Sequence, residues 1–251
     1  MKKILLLLLI CFAQNLFAQK VFTYSDFSYT IKGNNEITIT GYNGYSSSVD
    51  IPSVIDWKIV TTIGDEVFSC CESLTSITIP NSVTTIGYEA FSGCTSLTSI
   101  TIPDSVISIG EMAFSFCKSL TNIEISENNE TFTMIDNILY DKKEKMLHTC
   151  FSKKTNIVIP NGILKINNGA FFNCDSLSSI TIPNSVTTIG SKAFSDCKSL
   201  TSITIPDSVT TIGESAFDYC DSLTIQCNSG SYAEKYCKEE NIKCLITPDE
   251  L

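Results

Sequence analysis

The sequence predicts an α/β solenoid of 23-residue coils, with a parallel β-sheet on one face, short helical turns on the other, one β-hairpin insertion and a cap at each end. Three observations carry that expectation. The unit LTSITIPNSVTTIGYEAFSGCTS, Leu74 to Ser96, returns with few changes from Leu97, Leu177 and Leu200. A fixed period in the twenties marks a chain whose coils bury their apolar faces only against their neighbours. Within a unit, Ile100 and Ile102 alternate with Ser99 and Thr101 ahead of Pro103, the pattern of a short half-buried strand ended by a residue that cannot donate to a ladder. The period is also broken once, because 57 residues separate Pro103 from Pro160, two periods plus eleven.

Taken in order, residues 1–18 read as an export signal. Lys2 and Lys3 supply a positive start, Ile4 to Phe12 an apolar core, and Leu16-Phe17-Ala18 a small-residue exit before Gln19. The product is therefore expected outside the cytoplasm: extracellular, at the cell surface or in the periplasm. The apolar run is too short for a stable anchor, and no later stretch approaches 18 consecutive apolar residues, so no membrane insertion is expected after signal removal. Without Lys2 and Lys3 the chain keeps 15 basic and 27 acidic residues, a net charge of −12. Such a surface repels nucleic acid and anionic membrane and excludes both as partners.

Residues 19–50 alternate polar, aromatic and β-branched residues between turn clusters, as expected of two or three short strands that cover the first coil. Tyr24, Tyr29, Tyr42 and Tyr45 are expected to pack in that cap. The coils then occupy 51–222. The first carries five extra residues around Ile55 to Ile59, including the sole tryptophan, Trp57, expected to fill the rim. In each coil Val106 and Ile109, or their equivalents, turn inward, and Ala113-Phe114 with Cys117 fill the core from a helical turn.

Two columns of the repeat test this assignment. Gly64, Gly87, Gly110, Gly190 and Gly213 share a position that is Asn167 in one coil. Asn is the next most tolerant residue after Gly for positive φ, so the column reads as a backbone requirement. Cys71, Cys94, Cys117, Cys174, Cys197 and Cys220 form a second column, read as small buried hydrophobes with weak S–H donors. Cys70, Cys150, Cys227, Cys237 and Cys244 lie off it, and the last three could include a bridge that the sequence does not assign.

Between about 126 and 156 the rhythm breaks. Two apolar runs, Met134 to Tyr140 and Met146 to Phe151, flank the charged turn Asp141 to Lys145, which predicts a hairpin projecting from an enlarged coil. Residues 223–251 form the far cap: a shortened strand, a short helix with Ser231 at its N-cap, and a last strand from Ile242 to Ile246.

Little in the chain suggests chemistry. A hydrolase needs a nucleophile beside a base, and the one histidine, His148, is expected as an exposed strand residue of the hairpin. GxSxG, GxGxxG, P-loop, HExxH and EF-hand patterns are missing. No catalytic, cofactor-binding or metal-ligating residue is assigned, no cofactor is expected, and an enzyme is disfavoured.

A binding surface is better supported. The outward strand positions form a ladder of Ser99 and Thr101, Ser179 and Thr181 and their equivalents, a pattern that copying alone preserves because Thr suits an exposed strand. That monotony ends at Asn122, Glu124, Asn156 and Val158, on either side of the hairpin. A specific contact is therefore expected there, flanked by Tyr140, Lys142, Lys143 and Lys145 of the hairpin turn.

The unit LxxIxIPxSVxxIGxxAFxxCxx resembles the BspA-type leucine-rich repeat from Pro52 to Leu223. IDNILYDKKEK resembles that family's long repeat and GSYAEKYCKEENIKC its terminal cap, whereas Val67 and Asn167 depart from the consensus. The resemblance implies a leucine-rich repeat fold and a secreted or surface protein of a host-associated microbe that binds a protein or glycan partner, typically in adhesion. A structural or self-associating envelope or matrix component is the alternative.

Overall fold

The structure, a computed structural model, describes residues 20–33 and 35–247; the expected export signal lies outside them. Each coil contributes to three columns. The first is the expected strand, with Ser99–Ile102 paired parallel to Asn122–Ile125 and, further on, Asn156–Val158 to Ser179–Thr181 and Ser202–Thr204. Its isoleucines point inward and its Ser/Thr residues outward. The second, which the sequence did not announce, is a ladder of two-residue strands such as Thr85–Ile86 and Ser108–Ile109, paired parallel after the repeat proline.

The third column is the stack of Ala-Phe turns. Short helical turns were expected there, but the backbone forms hydrogen-bonded turns instead. Each carries two left-handed residues, Met112 (φ 54°) and Phe116 (φ 58°) in one coil, Lys192 (φ 53°) and Asp196 (φ 60°) in another, and a right-handed helix does not continue through such residues. The freed backbone groups bond between coils: Phe91 N–H donates to Ala113 O at 2.8 Å and Phe194 N–H to Ala216 O at 2.8 Å. The column cysteines complete the pattern. Cys94 Sγ donates to Phe68 O at 3.2 Å, Cys117 to Phe91 O at 3.1 Å, and Cys197 and Cys220 to Phe171 O and Phe194 O at 3.0 Å.

The glycine column meets a different need from the one expected. Gly110 lies outside the left-handed region. Its hydrogen instead faces the coil below, where a Cβ would come within 2.4 Å of Gly87 C and Tyr88 N; at Gly213 a Cβ would come within 2.3 Å of Ser191 N. The requirement is steric. Asn167 escapes it because it sits on the strand Met146–Cys150, donating to Leu147 O at 2.9 Å, rather than on another glycine turn.

The insertion is not a projecting hairpin. Phe132–Ile135, Ile138–Asp141 and Met146–Cys150 form a three-stranded antiparallel meander whose last strand pairs parallel with Lys165–Ile166. Ile138, Leu139, Tyr140, Leu147 and His148 are all buried. The meander thus replaces a coil and makes a seam. Both ladders stop there, the first between Asn122–Ile125 and Asn156–Val158, the second between Ser108–Ile109 and Met146–Cys150. The apolar core divides into two clusters at the same place. So do the rings: Phe68, Phe91 and Phe114 stack within 4° of parallel at 5.3 and 5.5 Å, Phe114 meets Phe151 edge-on, and a new parallel stack runs through Phe171, Phe194 and Phe217.

The ends are closed differently. Antiparallel Phe27–Lys32 and Glu36–Tyr42 cover the first coil, with Tyr29 buried and its hydroxyl donating to Asp56 Oδ2 at 2.6 Å. Tyr24 and Tyr45, expected to pack in this cap, are exposed. At the far end the helix α1, Tyr232–Glu239, starts at Ser231, whose hydroxyl accepts from Glu234 N at 3.2 Å. The strand Cys244–Thr247 then joins Thr224–Asn228 as the outer edge.

Candidate functional site

Asn129 and His148 hold the seam together. Asn129 is buried; its amide nitrogen donates to Pro103 O at 2.9 Å and Val106 O at 3.0 Å, and its carbonyl accepts from Thr131 N and Phe132 N. His148, expected on the surface, is 2 % exposed and packs edge-on against Phe132 at 5.8 Å. Its Nε2 lies 2.9 Å from Ile109 O and its Nδ1 2.9 Å from Thr149 Oγ1. A carbonyl only accepts, so the neutral ring carries its proton on Nε2 and accepts from the Thr149 hydroxyl.

The role of that bond follows from its neighbours. In the regular coils Ile63 O, Ile86 O, Ile166 O and Ile189 O accept from the backbone N–H of Gly87, Gly110, Gly190 and Gly213 at 2.8–2.9 Å. At Ile109 the next coil has no such glycine, and the imidazole supplies the donor. Burial holds the His148 pKa below the usual histidine value, opposed by the backbone bond and by Asp141 and Glu111. The ring is a structural bridge, satisfied on both nitrogens, and the one hydroxyl bonded to it, that of Thr149, is itself buried.

Around the seam lie the residues expected to contact a partner. Asn122 and Glu124 face solvent on the last strand of the first arm, joined by a bond from Asn122 Nδ2 to Glu124 Oε1 at 3.3 Å. Asn156 and Val158 face solvent on the first strand of the second arm, Val158 at 72 % exposure where Thr78, Thr101, Thr181 and Thr204 stand in the regular coils. Ser99, Thr101 and Thr181 are exposed and Ser179 half-buried, with Ser179 Oγ donating to Asn156 Oδ1 at 2.6 Å. Lys142, Lys143 and Lys145 are exposed, and the Lys142 ammonium donates to Asn129 O at 2.5 Å. Tyr140 is the exception: its ring is 4 % exposed and belongs to the core of the second arm, because Ile138–Asp141 is the middle strand of the meander.

Two exposed apolar residues carry no signal in the strand pattern first recognised, and a third is placed differently from expectation. Ile107 and Leu164 stand on the two sides of the Lys145 turn, 60 % and 38 % exposed, in a column that is Thr in the coils at Thr61, Thr84, Thr187 and Thr210. Their departure from Thr was the available signal. Trp57, expected to fill the rim, is 94 % exposed in a left-handed turn residue (φ 63°) between Val54–Ile55 and Lys58–Ile63.

Concave space at the seam is limited. A cavity of about 220 Å³ opens on the turn side of the seam between Phe114, Cys117, Phe151 and Cys174, and one of about 190 Å³ on the strand side between Ile135, Tyr140, Asn156 and Val158. Both fall below the roughly 300–1,000 Å³ typical of small-molecule sites. Among the described residues no group of three or more His, Cys, Asp or Glu side chains is placed to hold a metal ion, and no helix is long and apolar enough to cross a membrane. The column thiols Cys71, Cys94, Cys197 and Cys220 are held above the ordinary cysteine pKa, by burial at Cys71, Cys197 and Cys220 and by the Cys117 thiol together with burial at Cys94. They are therefore poor nucleophiles.

Comparison with known proteins agrees with this architecture. A leucine-rich repeat protein from Eubacterium ventriosum is similar over 92 % of this chain and 85 % of its own, with 20 % identity and a TM-score of 0.55. The pneumococcal vaccine antigen PcpA is similar over 92 % and 88 %, with 14 % identity and a TM-score of 0.51. A leucine-rich cell surface protein from Faecalibacterium prausnitzii aligns over 93 % and 96 % at 22 % identity, with a TM-score of 0.46. No curated protein matches the sequence. The model of the BspA type leucine rich repeat region matches residues 38–138 and 143–250 in six copies. With both arms and most of the seam inside that match, the chain belongs to the BspA-type leucine-rich repeat family.

Proposed function

We propose that this chain is an exported binding module, at the cell surface or outside the cell, that holds a protein partner against the outward ladder at its seam. The observation that carries the proposal is that, between Ser76 and Thr204, departures from the outward Ser/Thr pattern gather at one place. Asn122, Glu124, Asn156 and Val158 on the first ladder, and Ile107, Leu164 and the Lys142–Lys145 turn on the second, all flank the interruption. Stability alone would be served by another copy of the unit, as it is elsewhere.

Charge supports the same location. Residues 118–165 carry seven lysines, Lys118, Lys142, Lys143, Lys145, Lys153, Lys154 and Lys165, against six carboxylates, in a chain of net charge −10. The seam thus breaks an otherwise acidic surface, and an acidic or neutral partner surface meets least repulsion there. The mechanism is contact by a rigid, preorganised surface, which limits the entropy lost on binding, without chemistry.

The test is a solid-phase screen of the purified chain against extracellular proteins and glycans, repeated with Asn122→Ala, Asn156→Ala and Val158→Ala combined, and with Lys142→Glu, Lys143→Glu and Lys145→Glu combined. Loss of the captured partner in both variants, with melting temperature retained and with Ser202→Ala/Thr204→Ala still binding, is expected. Equal binding by all three would refute the location, and capture of glycans alone would refute a protein partner. The alternative, a self-associating envelope or matrix component, is favoured by the open edge strand Cys244–Thr247 with exposed Leu245 and Ile246. Light scattering across a concentration series separates the two.

A further inference from the structure

The far cap gathers three thiols that belong neither to the cysteine column nor to the seam. Cys227 and Cys244 sit on adjacent parallel strands whose register pairs Ile225 with Cys244 and Cys227 with Ile246. Their sulfurs lie 3.0 Å apart. Cys237, on α1, is the third.

We propose that Cys227 and Cys244 are a disulfide-forming pair, joined by thiol–disulfide exchange with a small-molecule disulfide such as oxidised glutathione. The two sulfurs need about 1 Å of approach to reach the ~2.05 Å bond. The strands holding them are fixed by Ile225 N–H donating to Lys243 O at 2.9 Å and Thr247 Oγ1 donating to Cys227 O at 3.2 Å. Four of the column thiols, Cys94, Cys117, Cys197 and Cys220, differ in donating to a carbonyl oxygen of the neighbouring coil.

The exchange balances without a further reagent. Cys244, half-buried and lining a shallow surface depression with Glu234, Lys238 and Ile246, meets the oxidant. Its thiolate attacks one glutathione sulfur and expels a glutathione thiolate, leaving a mixed disulfide. The buried Cys227 then attacks the Cys244 sulfur as its own thiolate and expels the second glutathione thiolate. The two protons lost by the protein thiols end on the two glutathiones, and the electrons lost by the protein sulfurs reduce the glutathione disulfide. Burial, together with the Cys244 thiol, pushes Cys227 up to about 12, and burial also raises Cys244, so exchange is slow at neutral pH and faster at pH 9. The product ties the exposed edge strand to the penultimate one and closes a loop around α1.

The full chain, treated with oxidised glutathione and then alkylated, tests the pairing by mass. Trypsin places Cys227 in peptide 199–235, Cys237 in 236–238 and Cys244 in 244–251. The expected result is a linked species of 199–235 with 244–251, lighter by ~2 Da than the sum of the free peptides, formed faster at pH 9 than at pH 7. Because 199–235 also holds Cys220, the link must persist in Cys220→Ser, and fragmentation of the linked peptide from the unsubstituted chain must localise it to Cys227. A 236–238 to 244–251 link, a stable glutathione adduct on Cys244, or full alkylation of Cys244 after oxidation would each overturn the proposal.

Discussion

Replacing His148 tests the seam directly. In His148→Ala, Ile109 O loses its only replacement for the glycine N–H and becomes a buried unpaired acceptor, which costs about 1–3 kcal/mol. The ring's packing on Phe132 is lost as well. His148→Gln keeps an amide donor for Ile109 O and should recover part of the loss. The pH dependence separates the bridge from mere packing. The folded-state pKa lies below the unfolded value of about 6.5, so the folded protein binds fewer protons. The stability His148 contributes is therefore complete above pH 6.5 and declines as pH falls below it. While the folded ring stays neutral, the loss is about 1.4 kcal/mol at one pH unit below that value. His148 is the sole histidine of the chain, so the difference between wild type and His148→Gln isolates it from the carboxylates. Urea unfolding at pH 7.5 and 5.5 is the assay: the wild type should lose more stability than His148→Gln over that interval. Identical losses would refute a buried neutral imidazole at the seam.

Two further outcomes follow from single residues. Gly110→Val places carbon against the backbone of Gly87 and Tyr88 and should cost about 3 kcal/mol, a fall in melting temperature of roughly 6–12 °C for a domain this size; an unchanged melting temperature would show that the coils can separate to admit a side chain. Trp57, at 94 % exposure, should emit as hydrated indole in the folded protein with little change on unfolding, and a blue shift or strong quenching on folding would contradict its place in the turn between Val54–Ile55 and Lys58–Ile63.

Much of the fold was legible because the repeat states it many times. The Ser-Ile-Thr-Ile strand, the inward Val and Ile, the cysteine column and the Ser231 cap each follow from a local rule. What the sequence left out were features decided between coils. The glycine column looked like a φ requirement because Asn167 shares it, whereas the contact that demands Gly110 is with Gly87, 23 residues away. The Ala-Phe turns looked helical because the inter-coil bonds that stabilise left-handed Met112 and Phe116 have no local signature. His148 and Tyr140 looked exposed because a charged turn between apolar runs reads as a projecting hairpin, and only the stacking of the meander between the arms buries them. At the candidate site Asn122, Glu124, Asn156 and Val158 were legible as breaks in a pattern; Ile107 and Leu164 were breaks too, in a column not yet recognised as a strand.

The seam also makes the length of this molecule adjustable while leaving its centre fixed. Within the second arm the interface between coils repeats: Phe194 stacks on Phe171 as Phe217 stacks on Phe194, and Gly213 sits on its neighbour as Gly190 does. Removing Leu177 to Ser199, or copying it, joins surfaces already complementary and exchanges one equivalent ladder bond for another. No comparable excision exists between Asn129 and Asn167, because the bonds of Asn129 to Pro103 O and Val106 O and of His148 to Ile109 O are repeated in no other coil. The arms can therefore change length by whole coils, while the seam remains the one fixed break between them.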